Sequence, residues 1–343
     1  MNSFNFFKKI AFLFDPEFIH NASITGFSLL PRSASILSLG DNEKYHLSDS
    51  HMKWKFPVGL AAGLDKNGQA LEFFNRIGFG AIEAGTVTPL PQSGNQKPRI
   101  WRMESSSSLR NAMGFPNIGS TAFLKNINKG SKPFCLGINL GKNKLSDNDL
   151  EDYIYLMNFF KDQCDYLAIN ISSPNTQNLR SLQNSSFLAQ LKDEYDKLNS
   201  SKPIYIKVSP DMDKRSTTEL TQKCIDLKFS GIICTNTTAE HNFESGGVSG
   251  VDLKELAKKK RDEICEITKS VDSFSTIGVG GVENSSDLFN FWKNGGDMMQ
   301  VYTAFIYKGP QLLIDIKNDI DLKLDELQLA NVTELQKYFR ELS

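Results

Sequence analysis

The sequence predicts an α/β fold, a (β/α)8 barrel of the TIM type with an N-terminal helical hairpin set ahead of it. Three observations carry this expectation. Beyond about residue 50, eight short apolar runs alternate with longer segments of helical spacing across roughly 260 residues. The runs are almost continuously hydrophobic, as suits parallel strands covered on both faces. Each run also ends in a polar or glycine-rich stretch, on the side where barrel enzymes place their chemistry. An open, doubly wound sheet is the competing architecture.

The expected strands lie near Val58–Ala61, Ala81–Ala84, Phe134–Asn139, Tyr166–Asn170, Pro203–Val208, Gly231–Thr235, Thr276–Gly278 and Met298–Val301. Helical spacing marks Gly68–Ile77, Ser120–Asn128, Asp149–Gln163, Ser186–Leu198, Ser216–Leu227, Leu253–Val271, Ser285–Asn294 and Pro310–Asp321.

The first 50 residues follow another pattern. Phe4, Phe7, Ala11 and Phe14 share one helical face, and Asp15-Pro16 then interrupts the helix. Phe18, Ile19, Ile24, Phe27 and Leu30 form a second apolar stripe before Pro31. Such a hairpin either packs on the barrel surface, or makes an apolar site or a membrane contact. The division expected is therefore 1–50 for the helical extension, 51–321 for the barrel and 322–343 for a tail. In the tail, Leu324, Leu327, Leu329, Val332, Leu335 and Phe339 are spaced as in a further helix.

Composition excludes several classes. With 40% hydrophobic and 23% charged residues the chain is ordinary globular material. A net charge of −1 gives no pull toward nucleic acid. The five cysteines show no CxxC and no His-spaced pairing, which argues against a disulfide scaffold, a structural zinc or an iron–sulfur cluster, and suits a reducing compartment. No apolar run approaches the roughly 18 residues that span a bilayer, and Met1 to Phe14 does not read as a signal peptide.

The strand ends converge on one site. They carry, in order, Ala62-Gly63-Leu64-Asp65-Lys66; Gly85-Thr86; Asn139 with Gly141-Lys142; Asn170-Ile171-Ser172-Ser173-Pro174-Asn175-Thr176; Lys207; Thr235-Asn236-Thr237; Gly280-Gly281; and Tyr302-Thr303. Gly280-Gly281, with Ser285 or Ser286 as a cap for the next helix, suits a phosphate after strands seven and eight. Lys66 and Lys207 at strand ends ask for an anion or an electron-rich ring, because a lysine in a barrel mouth is costly without one. The asparagines 111, 139, 170, 175 and 236 offer paired donors and acceptors to a planar heterocycle. Histidine is nearly absent from these loops, which disfavours a His-based triad and leaves Ser173 as the candidate for proton transfer.

These stretches, together with Asn111-Ala112-Met113-Gly114-Phe115 and Gly246-Gly247-Val248-Ser249-Gly250, resemble the motifs of the class 2 dihydroorotate dehydrogenases, in order from about Asp15 to Asp319. Serine at 173 matches that class; the cytosolic class carries cysteine as the base. The resemblance implies bound FMN, oxidation of dihydroorotate to orotate in pyrimidine (UMP) biosynthesis, and ubiquinone or menaquinone as acceptor. It also implies peripheral attachment to the cytoplasmic face of the membrane through the N-terminal helices. Carried over by position, the base is Ser173. FMN contacts fall on Ala62, Gly63, Leu64, Asp65, Lys66, Thr86, Asn139, Asn170, Lys207, Thr235, Gly250, Gly281, Tyr302 and Thr303. Substrate contacts fall on Lys66, Asn111, Ala112, Met113, Gly114, Phe115, Asn170, Asn175, Asn236 and Thr237. Quinone contacts fall on His20 and Arg102. Ala112 departs from the family, many members of which carry a long side chain there.

Three other readings stand beside this one. They are a cytosolic-type dihydroorotate dehydrogenase using fumarate or NAD, another flavin barrel acting on dihydropyrimidines or dihydrouridine, and a non-catalytic phosphate-binding barrel. Ser173 and the aromatic hairpin speak against the first.

Overall fold

The computed structural model describes residues 3–342; Met1, Asn2 and Ser343, in the expected terminal segments, lie outside the described residues. Two helices come first, α1 (Ser3–Ala11) and α2 (Pro16–Leu29), and the break between them falls at Asp15-Pro16. Asp15 starts α2 by accepting the Phe18 amide at 2.8 Å, while Pro16, which has no N–H to lose, sits at the first helical position. The short antiparallel pair β1 (Leu47–Ser48) and β2 (Lys53–Trp54) follows.

The barrel begins at β3 (Val58–Leu60) and continues with β4 (Ile82–Val87). Between β4 and the next barrel strand the chain makes a hairpin, β5 (Ile100–Met103) and β6 (Ser108–Asn111). Barrel strands β7 (Leu136–Leu140), β8 (Tyr166–Asn170), β9 (Ile204–Val208) and β10 (Gly231–Cys234) come next. After the short β11 (Gly247–Gly250), β12 (Ser275–Gly278) and β13 (Met298–Val301) complete the set. The eight barrel strands are all parallel and close on themselves, in the order β10-β12-β13-β3-β4-β7-β8-β9. The open-sheet alternative is thereby excluded. Every residue of β7, β8 and β9 is buried, the physical counterpart of their continuous apolar sequences.

Helices α3 (Leu71–Ile77), α4 (Ser120–Ile127), α5 (Asp149–Phe160), α6 (Ser185–Lys197), α7 (Lys214–Asp226), α8 (Lys254–Thr268) and α9 (Ser285–Lys293) fill the crossovers. After β13 come α10 (Thr303–Lys308) and α11 (Gln311–Leu327), the latter running on past Asp321, and the tail forms α12 (Val332–Glu341). Phe339 of α12 stacks on Phe289 of α9 with centroids 4.7 Å apart, so the tail helix is packed against the barrel wall. Two expectations need correction. Phe134 lies outside its strand, 39% exposed, where its amide donates to the Asn75 side chain. The cap of α9 is Asn284, not Ser285 or Ser286; its side chain accepts the Asp287 amide, while Ser285 Oγ turns to Asp319.

Strands β5, β6 and β11 form a separate antiparallel sheet. Its residues Ile100, Leu109, Asn111, Ser249 and Gly250 line the barrel cavity, so this sheet covers part of the mouth.

Candidate active site

The site is assembled from the middle of the barrel outward. Glu83 of β4, wholly buried, is the centre of a polar cluster that the strand-end reading missed. Its carboxylate meets Lys207 Nζ at 3.0 Å and accepts from Asn139 Nδ2 at 2.7 Å and Gln300 Nε2 at 2.8 Å. The Tyr166 hydroxyl donates to it at 3.3 Å. A charged residue inside the apolar run Ile82–Val87 was the available signal, since an ionised side chain there requires a partner. Of the two strand-end lysines, expected to meet an anion or an electron-rich ring, Lys207 already has an anion within the barrel in Glu83, while it still lines the cavity.

Lys66 is different. Its Nζ stands 3.1 Å from His20 Nε2 on α2, and among the described residues no carboxylate lies within 4 Å of it. Burial, only partly offset by Glu17 and Asp65, pushes the Lys66 ammonium down to about 8. Burial and then the charge of Lys66 hold His20 well below its ordinary value of 6.5, in the neutral form. Unfolded His20 takes up a proton below about pH 6.5 and the folded imidazole does not, so its contribution to stability is lost as pH falls through that value. Replacing His20 with Asn is expected to flatten the acid limb of the stability–pH curve, by up to about 1.4 kcal/mol per pH unit below pH 6.5. Parallel curves for the two proteins in urea titrations would show His20 to be protonated in the folded state.

Above this level runs a chain of amides. Thr86 Oγ1 donates to Asn139 Oδ1 at 2.6 Å, and Asn170 Nδ2 donates to the same oxygen at 3.0 Å. Asn236 Nδ2 reaches Asn170 Oδ1 at 3.3 Å and Ser172 Oγ at 3.0 Å. Asn175 Nδ2 reaches Asn111 Oδ1 at 3.0 Å. Ser173 is buried in the loop after β8, and its Oγ accepts the Asn175 amide at 3.2 Å. The Thr176 hydroxyl is buried with no hydrogen-bond partner among the described residues, so no bond joins it to Ser173.

One cavity gathers most of the expected site residues. Its walls include Ala62, Gly63, Lys66, Thr86, Asn111, Met113, Gly114, Phe115, Asn170, Ser173, Asn175, Lys207, Thr235, Asn236, Thr237, Gly250, Gly281, Tyr302 and Thr303. Four expected residues stand apart from its lining. The Asp65 carboxylate caps the turn before α3, accepting the amides of Gln69 and Ala70 at 2.8 Å each. Leu64 faces the neighbouring cavity, Asn139 supports Thr86 and Asn170 from behind, and the Ala112 amide is tied to the Arg99 carbonyl.

A second, mostly apolar cavity lies between the hairpin and the barrel. Phe4, Phe7, Phe27, His20 and Arg102 line it. Phe14 and Phe18, which share the apolar stripes of the hairpin with these phenylalanines, do not join them in the lining and are 49% and 60% exposed. Phe12 takes a place in the lining, with the Arg102 guanidinium 4.5 Å from its ring centroid. Arg102 also donates to the carbonyls of Phe12 and Phe14, tying the end of α1 to β5. Ile100, Leu109 and Tyr302 belong to the walls of both cavities. The hairpin is anchored by Glu17, which makes a buried pair with Arg99 at 2.7 Å.

A closed parallel barrel with a polar, asparagine-rich mouth beside an apolar chamber defines a small-molecule enzyme with two adjoining sites. The sequence model of the family described as dihydroorotate dehydrogenase matches residues 48–324. Dihydroorotate dehydrogenase (quinone) of Sulfurovum sp. is 37% identical over 97% of this chain and 97% of its own, and that of Aliivibrio fischeri strain MJ11 is 39% identical over 78% and 85%. Among solved structures, the dihydroorotate dehydrogenase of Eimeria tenella in complex with ferulenol superposes with a TM-score of 0.84 at 27% identity, covering 94% of both chains. The chain belongs to the dihydroorotate dehydrogenase family, and within it to the branch whose curated members carry the quinone designation. It is an oxidoreductase, and its family oxidises dihydroorotate.

Proposed function

We propose that the barrel cavity holds FMN and dihydroorotate, and that electrons leave for a quinone in the apolar cavity beside it. The observation that carries this reading is that Ile100, Leu109 and Tyr302 line both cavities, so a site walled by Lys66, Ser173 and several asparagines adjoins a more apolar one. The residues fit a flavin. Gly280 and Gly281 line the cavity with amides that donate to no partner among the described residues, a setting for a phosphate. The asparagine amides offer edges to heterocycles. When bound, FMN supplies the hydride acceptor.

The chain's own residues do the rest. Asn111, Asn175, Asn236 and Thr237 orient the substrate, and Lys66 brings positive charge to its carboxylate. Ser173 accepts the proton lost from C5. A serine hydroxyl is a weak base at its free pKa, and the Asn175 amide donating to Oγ favours the deprotonated oxygen. The Thr176 hydroxyl, buried and unpartnered three residues on in the same loop, makes no direct bond to Ser173, so the proton passes to it only if a side-chain rotation brings the two together. The product feeds pyrimidine (UMP) synthesis.

No described helix is long and apolar enough to cross a membrane. The exposed Leu13, Phe14, Phe18, Leu29 and Leu30 give the hairpin an apolar outer face, suited to lie in the interface of the cytoplasmic leaflet and admit ubiquinone or menaquinone. The test of the whole reading is anaerobic: dihydroorotate should bleach the flavin of the purified protein, and a quinone should restore the colour. A protein that is colourless, or a flavin that dihydroorotate does not bleach, refutes it.

The acceptor site has its own test. Removing residues 1–14 takes Phe4, Phe7, Lys8, Ala11 and Phe12 from the second cavity while sparing the Glu17–Arg99 pair. Quinone reduction is expected to fall by more than about tenfold as the apolar chamber opens, while flavin reduction by dihydroorotate persists. Full-length rates with quinone after the deletion would point to a soluble acceptor.

A further inference from the structure

Arg261 of α8 is 3% exposed, and no expectation from the sequence touched it. Its charge is opposed by burial, and among the described residues it pairs with no carboxylate within 4 Å. Instead Nη1 donates to two successive backbone carbonyls of the loop after β12, Val279 at 3.0 Å and Gly280 at 2.6 Å. A buried guanidinium spent on two neutral carbonyls calls for an explanation, because such a charge is ordinarily paired.

Peptide geometry supplies it. In a planar trans peptide the C=O and the N–H point in opposite directions. The Val279 carbonyl shares its peptide with the Gly280 N–H, and the Gly280 carbonyl shares its peptide with that of Gly281. Gripping both carbonyls from one side therefore turns both N–H groups to the other. Neither N–H donates to a partner among the described residues, and both glycines line the barrel cavity. The loop can adopt this shape only because φ is +96° at Gly280 and +66° at Gly281, where a side chain is disfavoured. A Cβ at Gly281 would also stand 2.4 Å from the Lys254 Cα at the start of α8. One helix thus sets the loop's position with its first residue and its peptide orientation with Arg261.

We propose that Arg261 is the positioning residue of the cavity's phosphate end, holding the Gly280 and Gly281 amides toward the anion and setting a buried positive charge behind them. It touches no ligand itself. The proposal rests on the flavin reading above and narrows it: Arg261 serves the phosphate of FMN and not its ring. Without Arg261 the two peptides lose the contact that orients them, and the charge behind them.

The experiment compares FMN with riboflavin, the same ring lacking the phosphate. Dissociation constants for each are measured by flavin fluorescence on exchange into the holoprotein, for the wild type, Arg261→Met and Arg261→Lys, with inorganic phosphate as competitor. Arg261→Met is expected to weaken FMN by about tenfold or more, as charge-assisted bonds to the phosphate loosen, and to change riboflavin by less than about twofold. Inorganic phosphate should compete with FMN less effectively against this variant than against the wild type. Arg261→Lys should recover part of the FMN affinity. Equal weakening of FMN and riboflavin, or no weakening of either, overturns the proposal and leaves the flavin reading intact. A wild type that takes up neither flavin ends both. Should Arg261→Met fail to fold, Arg261→Gln, which keeps a donor but no charge, carries the same comparison.

Discussion

Ser173→Ala should retain flavin and orotate, yet be reduced by dihydroorotate about 10²- to 10⁴-fold more slowly, the usual contribution of a positioned proton acceptor. Ser173 sits in the cavity wall between Asn170 and Asn175, buried and locked by the Asn175 amide at 3.2 Å. Alanine removes one oxygen and leaves that amide without its acceptor, a small structural cost beside the loss of the proposed base. Stopped-flow absorbance of the flavin under anaerobic conditions isolates the step. Cysteine at the same position tests the base by chemistry, since a thiol is the more acidic group. A Ser173→Ala protein whose flavin is bleached at the wild-type rate would remove Ser173 from the mechanism and confine it to shaping the turn before Pro174.

Glu83→Ala is expected to cost about 3–5 kcal/mol of stability, because it strands the Lys207 ammonium inside the barrel. Lys207 is 4% exposed, and Glu83 is the one carboxylate within 4 Å of its Nζ among the described residues. The same change frees donors on Asn139, Gln300 and Tyr166 that now end on Glu83. Their loss adds to the cost, because buried donors without acceptors are penalised individually. Pairing it with Lys207→Met should return part of the loss, since the double variant buries no lone charge. Urea denaturation of the wild type, both single variants and the double variant measures the coupling. A loss below about 1 kcal/mol for Glu83→Ala would mean that the pair does not hold the barrel centre together.

The sequence by itself determined the barrel and most of its mouth. Continuous apolar runs such as Tyr166–Asn170 and Gly231–Cys234 are buried on both faces, so their character is written in consecutive residues. Polar groups at their C-terminal ends converge because a closed parallel sheet points all those ends the same way. The hairpin break at Asp15-Pro16 was legible for the same reason: a proline acts on its own neighbours.

Tertiary structure decided whatever depends on which segments meet. Asn111 reaches Asn175 through a sheet whose strands β6 and β11 are more than a hundred residues apart, and four-residue strands of mixed burial leave no periodic trace. Phe14 and Phe18 share apolar stripes with slot residues, yet face outward. The rotation of each helix against the barrel is set by distant anchors, Glu17 on Arg99 and Arg102 on the Phe12 and Phe14 carbonyls. Glu83 is a lone charge in a strand and Arg261 one charge among many in a helix until the fold brings Lys207 to one and the Val279 and Gly280 carbonyls to the other. Local sequence records a residue's own burial tendency. The partner that makes burial of a charge tolerable comes from another part of the chain, and only packing shows which.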